Sequence, residues 1–479
     1  MIYSHKRFFI TYIITMLNLF IFRRDYRIVD NTGLIDALKN YENVVPIFIG
    51  TPEQLVKNPY KANFGIQFLC ESLCELSDEL ESNGSKLYCF FGDNVDVLEK
   101  IMEKNEVESV NFNGDYTPYA VKRDKQIAGL CKDFGVECNV YHDYLLSPPG
   151  TILTQIKTPY KVYGQFRRKE EALKIDKPVT SKKSELKNLY SGPMGGIKVL
   201  KSTFLKDYYK ENKNANTIGG RKKALAILKG ISKFGNYQKY RDELTYETTE
   251  LSGYIKFGCV SIREVYWAIK NKVSDSLSEQ TLISQLIWRD FYYHLLYFYP
   301  EFLNNSMRKK FKDFQWIDNK KWFKAWCEGK TGYPVVDACM RQLNETGYMH
   351  NRGRLITSNF LTKILVCNWK WGEKYYAQNL IDYDPAVNNG NWQWSAGTGS
   401  DTAPYSQRIF NPWTQSSKFD PNCFYIKRWV PELKNVPNKD IHNWATACEI
   451  PKYKKLKYPK PIVDYKTQRE EVKRIYKLI

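Results

Sequence analysis

Between Thr346 and Trp394 the chain reads TGYMHNRGRLITSNFLTKILVCNWKWGEKYYAQNLIDYDPAVNNGNWQW and gathers side chains capable of chemistry. Two guanidinium groups (Arg352, Arg354), two carboxylates two residues apart (Asp382, Asp384), an Asn-Asn-Gly-Asn turn and four tryptophans fall inside it. No familiar hydrolase or metal signature has this composition. Core packing accounts for much of the aromatic content, and a planar aromatic ligand is the alternative.

The elements that must position these residues are legible from periodicity. From 17 to about 147, short apolar runs LNLFIF (17–22), VVPIFIG (44–50), KLYCFF (86–91), SVNFN (109–113) and ECNVY (137–141) alternate with helical patterns. Between the second and third, Ile66, Leu69, Leu73, Leu76 and Leu80 recur at helical spacing over Gly65 to Ser82. This predicts a doubly wound parallel α/β domain over 16–147. It carries no GxGxxG loop, so its own ligand is unspecified.

Ser147-Pro-Pro-Gly150 ends that pattern, and 148–220 reads as a Lys-rich connector wrapping the surface. Residues 221–479 read as an all-α domain, with helices over Ser278 to Tyr299 and Gly332 to Leu343. All twelve tryptophans follow residue 266. Residues 1–15 read as an extension before the first strand, because the apolar run after Lys6 and Arg7 lacks a small-residue cleavage site.

Lys plus Arg outnumbers Asp plus Glu by 72 to 52, a net charge of +20 that favours a polyanionic partner, nucleic acid first. The eleven cysteines are odd in number and without CxxC spacing, which predicts reduced thiols in an intracellular protein and no metal site. No stretch is long and apolar enough to span a membrane.

Together with LIWRDFYYH (286–294), EGKTGYPVVDACMRQL (328–343) and GTGSDTAPYSQRIFNP (397–412), the opening stretch resembles the DNA photolyase/cryptochrome family, most of all its cyclobutane pyrimidine dimer photolyases. The resemblance runs from about 17 to 445 and is dense from 278 to 430. It implies a monomer that binds a folded FAD in the helical domain and acts on DNA containing pyrimidine dimers. An antenna chromophore of the folate or deazaflavin type is a further family property, for which this sequence specifies no residues.

Carried over position by position, Thr248, Thr249, Leu251 and Ser252 (in TTELS) would open a helix that receives the FAD diphosphate, with Tyr237 and Arg241 beside it. Arg354 and Asp382 would flank the flavin ring, Asp384 would bond its polar edge or the ribityl chain, and Asn388 would lie beside N5, as in photolyases rather than plant and animal cryptochromes. Arg289 and Asn351 would border the flavin cavity. Trp392, Trp369 and Trp316 would conduct electrons from the surface. Trp288 and Trp394 would wall the lesion pocket, with Arg241, Arg352 and Arg408 at DNA phosphates.

Two positions depart from the cyclobutane-dimer pattern: Gln285 replaces a usual Glu, as in many six-four photolyases, and Leu355 replaces a Met. Six-four repair calls for a histidine pair where this chain has Asn351 and Leu355, and leucine cannot act as a general acid. The reading is therefore light-driven cyclobutane-dimer repair. A cryptochrome photoreceptor, DASH-like or signalling, and a six-four photolyase are the alternatives.

Overall fold

The computed structural model describes residues 15–400 and 408–477. The expected extension 1–15 and part of the 397–412 motif thus lie largely outside the described residues. β1 (Leu17–Phe22), β2 (Val44–Gly50), β3 (Tyr88–Phe91), β4 (Val107–Asn113) and β5 (Glu137–Tyr141) form a parallel sheet in the order β3-β2-β1-β4-β5. β1 and β2 are buried at every position, which is why they read as unbroken apolar runs rather than as alternation.

The crossovers run through α1 (Thr32–Asn40), α2 (Asn63–Ser82), α3 (Asn94–Met102) and α4 (Pro118–Phe134). In α2 the five residues with helical spacing, Ile66 to Leu80, are all buried. The strand order reverses between β1 and β4, the place where such sheets open a crevice at their C-terminal ends. Arg23, Arg24 and Asp25 follow β1 there, and Asp115 follows β4.

The segment after β5 is more than a surface wrap. Leu189 bridges to Val44 and Leu200 to Cys89, which extends the pairing of the sheet. The helix α5 (Tyr163–Glu170) docks onto the helical half of the molecule.

That half is built around a single-turn helix α6 (Ser252–Lys256), α7 (Ser276–Phe298), α8 (Pro334–Thr346), α9 (Asn351–Lys363), α10 (Trp369–Asn379) and α11 (Pro385–Ala396). A final helix, α12 (Tyr465–Lys477), packs Val472 and Tyr476 against Phe311 and Val366. Caps fix where the site helices begin. Asp275 accepts from the Ser278 N–H at the start of α7, and His350 Nδ1 accepts from the Arg352 N–H at the start of α9. An imidazole accepting at Nδ1 is neutral, and burial accordingly pushes the His350 pKa down to about 4.

Asp384 caps α11 through Ala386 N–H (3.1 Å) and Val387 N–H (3.2 Å), with Pro385 in the first helical position. The Asn388–Asn391 run, expected to be a turn, therefore lies inside a helix. It ends at Gly397, which is left-handed (φ 76°). Gly390 lets α11 approach α7 closely, because a Cβ there would meet the Tyr292 ring.

Gly390→Ala is expected to lower stability by about 1–3 kcal/mol through overpacking. Thermal unfolding of the variant beside the parent checks this.

Candidate functional site

A cavity of about 450 Å³ opens in the helical half, within the size range of cofactor pockets. Three helices each offer it one stripe. α7 supplies Leu282, Gln285, Leu286, Trp288, Arg289 and Tyr292; α9 supplies Asn351, Arg354, Leu355 and Ser358; α11 supplies Val387, Asn388, Asn391, Trp392 and Trp394. These sets repeat at three and four residues, so each lies on one face of its helix. Tyr237, Arg241, Thr248, Thr249, Leu251, Ser252 and Lys256 close another side.

Arg354 is the best-anchored cation here. Its Nη2 donates to both Asp382 oxygens (3.1 and 2.9 Å), and its Nε donates to the Met349 carbonyl (2.9 Å). Burial opposes ionisation of Asp382, but the Arg354 charge and hydrogen bonds outweigh it and hold the carboxyl below its usual range. Arg241 lies 5.7 Å from the Tyr237 ring centre. Arg289 stacks 3.8 Å over Tyr144 and donates to its carbonyl, while its buried Nη2 has no protein partner. Lys256 has one long hydrogen bond, to Ile381 O (3.5 Å), and burial followed by the nearby Arg24 charge pushes its pKa down to about 7.

This donor set fits FAD. Arginine and lysine cations, Thr248 and Thr249 hydroxyls and an underpartnered guanidinium suit a diphosphate and a flavin edge, and the apolar lining suits the ring.

Asp384 has a task that the motif did not disclose. Its Oδ2 accepts from Arg24 (2.5 Å), Tyr293 (2.6 Å) and Tyr144 (3.1 Å), and its Oδ1 caps α11. Burial again opposes ionisation, but the charges of Arg24 and Arg289 and the Tyr293 hydroxyl prevail and depress its pKa. It borders the cavity, yet both its oxygens are engaged by protein, so it braces the wall instead of offering a free oxygen to the flavin edge.

Asn388 is oriented by Glu373 of α10, a residue without a motif. Its amide NH₂ donates to the Glu373 carbonyl (3.1 Å) and Oε1 (3.0 Å), leaving its own oxygen for the cavity. Burial raises Glu373 to about 7 against the hydrogen bonds of Asn388 and Tyr383. Asn389, expected in the turn, instead donates to Leu303 O (3.0 Å).

The tryptophans differ in depth. Trp392 lines the cavity and is buried, Trp369 is buried in the same hydrophobic cluster but outside the cavity lining, and Trp316 is half-buried. Gly372, one turn beyond Trp369, is where the Trp392 ring lies against α10, since a Cβ would collide with the indole. Trp392 also meets Tyr376 edge-on at 4.9 Å and Trp326 at 6.1 Å. Trp316 packs against the core holding Trp369 and Trp392 and stands edge-to-face with Phe314 at 4.5 Å.

Of the residues expected to meet DNA, Arg241, Gln285, Trp288, Leu355 and Trp394 line the cavity. Arg352 does not: it pairs with Asp242 (2.6 Å) and covers Phe419. Arg408 lies over the Trp394 ring at 4.8 Å, outside the cavity lining. Gln285 donates back to Thr281 O within its own helix (3.1 Å).

The residues that sequence reasoning missed are Arg24, Tyr144, Lys256, Tyr293 and Glu373. Arg24 had one signal, its place just past a strand end in a sheet that binds at such ends. Glu373 had none, because its partner is fifteen residues away on another helix.

A parallel α/β domain joined to a helical domain whose cavity is walled by tryptophans and bears cations defines a protein built to hold a large planar cofactor with an anionic tail. The comparisons agree: residues 18–183 match the model for DNA photolyase, and 282–478 match that for the FAD binding domain of DNA photolyase. The chain belongs to the DNA photolyase family. It is 34% identical to a deoxyribodipyrimidine photo-lyase of Synechococcus over 96% of both chains. An archaeal photolyase from Sulfolobus tokodaii, solved with two FAD molecules, superposes with a TM-score of 0.86 at 37% identity, covering 97% of this chain and all of that one. A cryptochrome from Synechocystis superposes with 0.88 at 26% identity, covering 96% and 99%.

Glu373 keeps its proton up to about pH 7 when folded and to about 4.3 when unfolded, so rising pH removes stability between those values. Relative to Glu373→Gln, the parent should lose on the order of 3 kcal/mol from pH 4.3 to 7, with the loss levelling off about one pH unit above that. Denaturant titrations of both proteins across that range check the sign.

Proposed function

We propose that the protein is a light-driven DNA repair enzyme, a deoxyribodipyrimidine photo-lyase that splits cyclobutane pyrimidine dimers. One observation carries this reading. A single cavity is bordered both by a cation, carboxylate and hydroxyl set suited to FAD and by Trp288 and Trp394, two indoles on different helices that suit base stacking. The Synechococcus relative of the same name, similar along nearly the whole chain, supports it.

Reduced FAD, when bound, supplies the light absorption and the electron that opens the cyclobutane ring. The chain's part is to bind, orient and shield. Thr248, Thr249, Leu251 and Ser252, with Tyr237, would hold the diphosphate; Arg354, fixed by Asp382, would supply positive charge to the flavin; and Arg289 and Asn351 would help to enclose it. Asn388, locked by Glu373, offers a carbonyl oxygen and so accepts a hydrogen bond without adding charge. Asp384 holds the wall in place.

Trp288 and Trp394 receive the extrahelical dimer, whose poor stacking makes it less costly to flip than a normal pair. Gln285 and Leu355 line the same cavity and are variations within a cyclobutane-dimer pocket, since Asn351 and Leu355 offer no acid for six-four chemistry. Arg241 and Arg408 meet phosphates, whereas Arg352 is already paired with Asp242. Trp392, Trp369 and Trp316 would relay electrons from an external reductant at the surface toward the cofactor site. The eleven free cysteines support a reducing, intracellular setting, where the protein works as a monomer.

Chemically reduced protein is expected to restore thymines in a cyclobutane-dimer oligonucleotide under blue light and not in the dark, and to leave a six-four oligonucleotide unchanged. Absence of repair in FAD-loaded protein would point to a photoreceptor. Trp394→Ala should weaken dimer-DNA binding on the order of tenfold, given about 1–3 kcal/mol per stacked base. Trp316→Phe should slow photoreduction of the oxidised protein while sparing repair by protein already reduced.

A further inference from the structure

Trp288 lines the cavity, but what holds its indole comes from the connector. Tyr163, the first residue of α5, lies flat on Trp288, with ring centres 3.5 Å apart and planes 9° from parallel. Its hydroxyl is bound to Ser284 of α7, 2.7 Å from Oγ and 3.0 Å from the carbonyl oxygen. Tyr163 does not itself border the cavity. The indole thus has Tyr163 behind it, Phe291 at its edge (5.8 Å) and Tyr292 tilted beside it (5.6 Å).

The rest of α5 is anchored to the same helix. Phe166 is buried between Phe291 (5.4 Å) and His294 (4.9 Å). At the far end, Glu170 accepts from Ser147 Oγ (2.8 Å), and Asp290 accepts from the Leu146 and Ser147 N–H groups (2.6 and 3.3 Å). Tyr163 therefore sits on a fixed helix, not on a loose strap. An indole on a helix surface has several rotamers, and a ligand that needs one of them must select it on binding. A phenol ring stacked behind it and hydrogen-bonded to the same helix removes that choice beforehand.

We propose that Tyr163 is a positioning residue for lesion recognition: stacked behind Trp288, it presets the indole plane against which the extrahelical pyrimidine dimer stacks. The connector, which carries no functional motif, is thereby part of the lesion pocket. The inference rests on the reading of Trp288 as a lesion wall.

The test is the ratio of dissociation constants for undamaged and dimer-containing oligonucleotides, measured on the FAD-loaded protein. Tyr163→Phe keeps the stack and should leave the ratio within about twofold of the parent. Tyr163→Leu keeps an apolar side chain but not the stack, and should lower the ratio on the order of tenfold. Its affinity for undamaged DNA and its rate of flavin photoreduction should be unchanged, which general unfolding would not allow. Tyr163→Trp, which restores a flat ring, should recover the ratio and serves if the leucine variant folds poorly. If Trp288→Ala loses discrimination while Tyr163→Leu keeps it, the positioning role is wrong. If Trp288→Ala also keeps it, the lesion wall is wrong and the inference falls with it.

Discussion

The ion pair between the half-buried Arg24 and the buried Asp384 is the constraint from which the placement of the site helices follows. A carboxylate withdrawn from water is costly unless it is fully engaged, and removing one partner of such a pair typically costs about 3–5 kcal/mol. Asp384 meets that condition with Arg24, Tyr293 and Tyr144 on one oxygen and the first N–H groups of α11 on the other. Arg24 stands just past β1 at the switch point of the sheet, with Asp115 after β4 as its second carboxylate (3.3 Å). The crevice that sheets of this kind present to ligands is here also where the helical half is fastened.

From that fastening the site follows by helix geometry. Asp384 sets the start and rotation of α11, and with them the directions of Asn388, Trp392 and Trp394. Gly390 and Gly372 allow α11 to close on α7 and α10 without a side chain between them. Asp382, two residues before the cap, faces Arg354 on α9, so one short segment braces the wall with one carboxylate and charges the cavity with the other. A second buried network, in which Arg263 pairs with Asp30 (2.9 Å) and Asp143 (2.7 Å) and Arg27 also pairs with Asp143, fastens the same two halves elsewhere.

Much of this was legible in the sequence, and what was not has physical reasons. The runs at 17–22 and 44–50 coincide with β1 and β2, because strands buried in a parallel sheet announce themselves by composition; the run at 137–141 coincides with β5, the edge strand, which has no fully buried residue. The apolar spacing in α2 and α7 is likewise local. The Asn388 region was misjudged as a turn because Asn and Gly favour turns, although Asp384-Pro385 ahead of it is a helix-start signal. Glu373 behind Asn388, Arg24 on Asp384 and Tyr163 on Trp288 were not legible, since each is a tertiary contact between different elements, the last two more than a hundred residues apart in sequence. The connector was the least readable: α5 has only Phe166 and Glu170 buried, too few to leave a periodic pattern.

The most direct test of the account is the affinity of flavin-free protein for FAD, by fluorescence titration, with the parent and Arg354→Lys compared. Lysine keeps the charge but cannot donate as the planar guanidinium does to Asp382. The account predicts saturable binding by the parent and a loss of tenfold or more in the variant, at unchanged helical content. Equal affinities in two folded proteins would mean that FAD is not held beside the Arg354–Asp382 pair, and would contradict the assignment of this cavity as the seat of the photochemistry.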